Sequence, residues 1–125
     1  MRNKLSAYLI FGATVFTVIS PAWAKYPEHW TGKIEGGDGD LTIQSNNNGL
    51  EGDMDIGGPG CGGELSGPAL ETNTDILILK SDDTGSCVIH LKKAGSKIVS
   101  SSEDGCYPFH GVSCAFSGAN MTKAN

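Results

Sequence analysis

Leu50-Glu51-Gly52-Asp53-Met54-Asp55-Ile56 alternates without a break: every even position is apolar or glycine, every odd one acidic. A period of two means a strand with one face against a core and one in water. The stretch is bracketed by Asn48-Gly49 and Gly57-Gly58-Pro59-Gly60. Both are turn signals, because asparagine and glycine accept the positive φ of tight hairpins at low cost. One strand with a turn at each end sets the reading frame for the rest of the chain.

Outward from this stretch, turn signals recur at Gly36-Gly37-Asp38-Gly39, Asp82-Asp83-Thr84-Gly85, Ala94-Gly95 and Asp104-Gly105. Such a rhythm predicts an all-β meander. Trp30, Gly32 and Ile34 share one face, as do Leu41 and Ile43, and as do Cys87, Ile89 and Leu91. Ile76-Leu77-Ile78-Leu79 is apolar on both faces and reads as the most buried strand. A strand over 62–67 is interrupted by Pro68, which belongs at an edge or bulge. Segments 98–102 and 113–116 complete about eight strands. A small antiparallel barrel or two-layer sandwich follows, since an open meander would expose two hydrogen-bonding edges.

The chain starts differently. Arg2 and Lys4 precede an apolar run from Leu5 to Ile19 and then Ser20-Pro21-Ala22-Trp23-Ala24, the layout of a signal peptide cleaved after Ala24. The expected product is a single domain, residues 25–125, in the periplasm or secreted, with no membrane span. It carries seven lysines, no arginine and fourteen acidic residues, for a formal charge of −7. Nucleic acid is an unsuitable partner for such a surface and a basic protein a natural one.

All four cysteines, Cys61, Cys87, Cys106 and Cys114, lie in the exported part, and in an oxidising compartment they imply two disulfides. Three pairings exist. Cys61 with Cys87 and Cys106 with Cys114 is the expected one, because the second pair is local and the first ties the middle of the domain together. Zinc has no support, for no Cys-x-x-Cys or paired-histidine spacing occurs.

Catalytic signals are sparse. Cys106 and His110 pair a thiol with a base, yet an oxidised sulfur is no nucleophile, and no hydrolase or phosphate-loop motif is present. His29, His90 and His110 sit on three separate segments. Asp38, Asp40, Glu51, Asp53 and Asp55 invite calcium, but alternation spaces the last three about 7 Å apart along one strand face, whereas calcium needs its ligands around one point. No metal or cofactor is expected. Asn120-Met121-Thr122 fits a glycosylation sequon.

Taken together, Trp30-Thr31-Gly32, Leu41-Thr42-Ile43, Gly85-Ser86-Cys87-Val88-Ile89-His90-Leu91, Gly105-Cys106, His110-Gly111 and Cys114-Ala115-Phe116-Ser117-Gly118 resemble a group of small exported bacterial β-domains, some of them lysozyme-inhibitor-like. The resemblance implies a binding protein, an inhibitor of a basic wall-degrading enzyme. It carries over no inhibitory residue: Ser66-Gly67-Pro68 and Ser117-Gly118 do not reproduce the Ser-Gly loop with which periplasmic inhibitors of C-type lysozyme enter the enzyme's cleft. The expected contacts are the acidic Glu51, Asp53 and Asp55, with Tyr107 and Phe109 as aromatic anchors. A structural envelope module is the alternative, and a hydrolase with an unrecognised site a third.

Overall fold

The computed structural model describes residues 25–83 and 85–124. The expected signal peptide lies outside the described residues. Eight antiparallel strands follow in chain order: β1 Glu28–Ile34, β2 Gly37–Asn46, β3 Gly49–Gly58, β4 Cys61–Glu71, β5 Asp75–Asp82, β6 Gly85–Ala94, β7 Lys97–Asp104 and β8 Asn120–Lys123. Each pairs with its sequence neighbour, and β8 returns to β1, so the meander closes into a barrel. Closure leaves no open sheet edge, which decides against the sandwich.

Eight strands make a barrel just wide enough for its interior to be filled by side chains. Trp30, Leu41, Ile43, Met54, Leu65, Ile76, Ile78, Ile89, Leu91, Ile98, Phe116 and Met121 fill it, each fully buried. Bulky residues fit because glycines face them: a Cβ on Gly52 would stand 2.8 Å from the Ile78 side chain. Burying a Leu- or Ile-sized side chain contributes about 1.5–3 kcal/mol. Ile76 and Ile78 are buried as expected, but Leu79 is substantially exposed, so β5 is one-sided after all.

The two ends of the barrel are closed differently. At the end where β1 begins, inward-facing positions turn polar. Tyr26 Oη donates to Glu71 Oε1 (2.9 Å), Lys93 Nζ to Glu71 Oε2 (2.6 Å) and Lys123 Nζ to Glu28 Oε2 (3.0 Å). Burial raises the Glu28 pKa. Burial also pushes Glu71 up, but hydrogen bonds from Glu28, Lys93 and Tyr26 outweigh it and leave Glu71 below the ordinary carboxylate value.

The opposite end is covered by residues 105–119, and here the expected topology needs correcting. Residues 113–116 form no strand; the last strand is Asn120–Lys123. Phe116 points into the barrel without pairing in the sheet, its carbonyl accepting from Ser101 Oγ at 2.7 Å. Gly105, at φ +75°, starts the segment with a bend in which any Cβ would overlap the Ser86 carbonyl oxygen, so no larger residue fits.

The disulfides also differ from expectation. Cys61 pairs with Cys114, and Cys87 with Cys106. Cys106 ends the bend out of β7 next to β6, where Cys87 faces the core, and Cys114 reaches the first residue of β4. Locality along the chain failed because the segment between Cys106 and Cys114 spans the barrel end from β6 to β4.

Pro68 does not end β4, which runs on to Glu71. The β4–β5 ladder covers only Ala69–Glu71 against Ile76–Ile78. Pro68 therefore stands where that ladder stops, although the next residue, Gly67, still packs closely on the Leu79 backbone of β5.

Candidate functional site

Cross-strand register turns the alternation of β3 into a two-dimensional acidic surface. Asp40 lies opposite Asp55, and Asp55 opposite Glu64, a row of three carboxylates across β2, β3 and β4. Asp53 is next to Asp55 on the same face, opposite Ser66. One ligand oxygen from each of Asp53, Asp55 and Glu64 lies within 4.8 Å of the others. Glu64 is the residue the linear pattern missed. The distance along one strand is indeed too long for convergence, but the neighbouring strand supplies a third carboxylate at close range.

No basic side chain among the described residues pairs with Glu51, Asp53, Asp55 or Glu64, whereas Glu28, Asp38, Glu71 and Asp75 each face a lysine. Unpaired negative charge thus gathers on the outer face of β3 and β4. Partial burial, then repulsion from Asp53, Glu64 and Asp40, raises the Asp55 pKa. Asp53 Oδ1 is buried and has no hydrogen-bond partner. An open groove of about 770 Å³ along this surface is lined by Thr31, Lys33, Asp38, Asp40 and Asp55. Glu51 is higher on the same face, opposite Gln44 and Pro68.

The segment between the disulfides adjoins this surface. Tyr107–Phe109 is one turn of 3-10 helix, followed by a bridge between His110 and Gly63 of β4. The Gly111 N–H donates to the Gly62 carbonyl at 3.0 Å. Residues 107–113 are therefore fastened at both ends, by Cys106 to β6 and by Cys114 to β4. From this clasped loop Tyr107 and Val112 project into solvent, 68% and 83% exposed. Val112 escaped the sequence reading because a lone valine in a loop carries no pattern.

Phe109 has a different place from Tyr107. It is half-buried against the core and forms one side of a groove of about 410 Å³ beside β4 and β5, together with Glu64, Leu65, Ser66, Lys80 and Asp82. Glu64 therefore belongs both to the acidic row and to the groove beside the loop. The structure brings Asp53, Asp55 and Phe109 into one continuous region through Glu64, leaves Tyr107 on the rim, and sets Glu51 apart at the other end of the strand.

The histidines do not converge. His29 bonds Asp40 (2.8 Å) and His90 bonds Asp75 (2.6 Å), while His110 bonds Glu103 (2.9 Å) beneath the loop. Both Cys106 and Cys114 are consumed in disulfides, so the thiol and base noted in the sequence form no nucleophilic pair. The Glu28 and Glu71 carboxyls, the closest approach to an acid and base couple, are sealed inside the barrel at 1% side-chain exposure each. No helix among the described residues is long and apolar enough to cross a membrane. Comparison of the chain with protein-family models, with curated proteins and with solved structures finds no match.

Proposed function

We propose that this is an exported binding protein that docks on a basic protein through the outer face of β3 and β4 together with the clasped loop 107–113. The carrying observation is the contiguity of unpaired carboxylates with a loop tied down at both ends. Exposed acids that repel one another cost the free protein stability, and a cationic surface offsets that cost on contact. Tyr107 and Val112 supply apolar contact from a pre-ordered backbone, so little conformational entropy is lost on binding. Resemblance to lysozyme-inhibitor-like domains makes a basic wall-degrading enzyme the leading candidate, with inhibition following if the loop occupies the enzyme's cleft.

The test is binding of the mature domain to a C-type lysozyme at low and high salt. Asp53→Lys with Asp55→Lys is expected to act mainly on the association rate, and Tyr107→Ala with Val112→Ala mainly on dissociation. No binding at low salt, or binding indifferent to both pairs of substitutions, rejects the lysozyme reading and puts the envelope module ahead.

A further inference from the structure

Beneath the clasped loop, His110 has both ring nitrogens engaged by oxygen atoms. Nδ1 lies 2.7 Å from the Gly111 carbonyl oxygen and Nε2 lies 2.9 Å from Glu103 Oε2. A carbonyl can only accept, so Nδ1 must carry a hydrogen. The other Glu103 oxygen, Oε1, accepts from the Phe116 N–H at 2.6 Å, which holds that carboxylate in place on β7. An ionised Glu103 can only accept, so Nε2 also donates, and the ring that satisfies both partners is the imidazolium. It is nearly enclosed, with 6% of the His110 side chain and 17% of Glu103 exposed.

We propose that protonated His110 is a lock on the loop, holding Gly111 and Val112 against the barrel end, and that loss of its proton releases them. A neutral ring has one N–H for two acceptors. The charged Glu103 is the stronger acceptor, so the bond given up is the one to the Gly111 carbonyl, next to the exposed Val112. His110 is thus a positioning residue for the loop. That its release alters partner binding rests on the docking role proposed above; the lock itself does not.

The surroundings favour this assignment from every side. β7 presents Glu103, and Glu35 in the β1–β2 turn adds a second negative charge near the ring. Phe116 and Tyr107 meet it edge-on at 5.3 and 6.5 Å between ring centres. From β4 it meets the backbone of Gly63, while the neighbouring Glu64 is exposed on the outer face. Burial alone would lower the His110 pKa. The hydrogen bonds to Glu103 and Gly111 and the charges of Glu103 and Glu35 outweigh it, and the balance is upward. Because the folded value lies above the unfolded one of about 6.5, the lock is complete below that pH and is lost as pH rises through the folded value.

Nitrogen-15 NMR of the free, disulfide-intact domain tests this without any partner. Near pH 6 both His110 ring nitrogens are expected to carry hydrogens, with a titration midpoint above about 6.5. Across that midpoint the Gly111 and Val112 amides should lose order while those of Ile78 and Ile89 do not. In His110→Gln the loop should already show its high-pH state at pH 6 and stop responding to pH. His29→Gln and His90→Gln should leave the loop's response to pH unmoved. A singly protonated His110 ring at pH 6, or loop order unchanged across its titration, overturns the proposal. Wild-type spectra alone decide the matter if His110→Gln does not fold. A lock that behaves as expected in a domain that binds no lysozyme rejects the docking reading only.

Discussion

Replacing Asp55 by Asn is expected to stabilise the protein. The substitution keeps shape and removes one charge from a site where the Asp53, Asp55 and Glu64 oxygens lie within 4.8 Å of each other. Two unit charges at about that separation repel by roughly 1 kcal/mol in bulk water, the appropriate medium for so exposed a face. Two such neighbours give about 2 kcal/mol. A screening length of about 8 Å at physiological ionic strength leaves roughly half of it. The net gain of about 1 kcal/mol corresponds to a rise in Tm of about 4–8 °C for a domain of this size.

The gain should depend on pH in a defined direction. Partial burial and the neighbouring acids raise the Asp55 pKa in the folded protein. Wild-type protein therefore loses stability as pH rises through that folded value, while Asp55→Asn has no proton to lose. The difference between them should vanish near about pH 3, below the ordinary Asp value, and be complete by about pH 7. Thermal melts at several pH values and salt concentrations, with EDTA present so that stray cations do not screen the cluster, make the comparison. A variant no more stable than wild type at pH 7 and low salt would refute the reasoning, as would a gain that ignores both pH and salt. The same variant should bind a cationic partner more weakly, which would make the cluster a site where stability is given up for function.

Peptide mapping without reduction should return Cys61 joined to Cys114 and Cys87 joined to Cys106, with neither of the other pairings. Lys93→Met should leave Glu71 buried without its cation and cost about 3–5 kcal/mol in urea unfolding, whereas Glu71→Leu with Lys93→Met should cost less, since no lone charge remains. A Cβ on Gly67 would overlap the Leu79 carbonyl oxygen, while one on Gly57 meets nothing within 4 Å. Gly67→Ala should therefore cost about 1–3 kcal/mol and Gly57→Ala stay within about 0.5 kcal/mol, as read from denaturant midpoints.

The barrel was legible in the sequence wherever the alternation was strict. Met54 and Ile56, Leu41 and Ile43, and Ile89 and Leu91 all face inward as their spacing implies. What failed was proximity along the chain used as a guide to proximity in space. Cys106 and Cys114 are near in sequence, yet the bend at Gly105 and the crossing of the barrel end carry them to different strands. Phe116 alternates with Cys114 as a strand residue would, but its inward side chain plugs an end of the barrel while its backbone bonds to Ser101. The candidate site was half visible. Asp53 and Asp55 announce an outward acidic stripe, but Glu64 joins them only through the β3–β4 register, which no pattern within one strand encodes. Glu28 and Glu71 look like surface acids in the sequence and are buried because Lys93 and Lys123 point into the same end.

Both ends of the described chain leave from one rim, where the Ala124 N–H donates to the His29 carbonyl at 2.7 Å. Strand β3, ten residues long and tilted as barrel strands are, sets the opposite rim about 25 Å away. The loop carrying Tyr107 and Val112 is on that far rim. The domain is therefore built like a short post: attachment at either end of the described chain, whether to a fusion partner, a bead or a surface, leaves the tip that carries Tyr107 and Val112 pointing outward at full height. Joining Tyr26 to Ala124 by a short linker, and reopening the chain at the exposed Asn47-Asn48 turn, would preserve the ladder of paired strands and move the point of attachment without moving the tip.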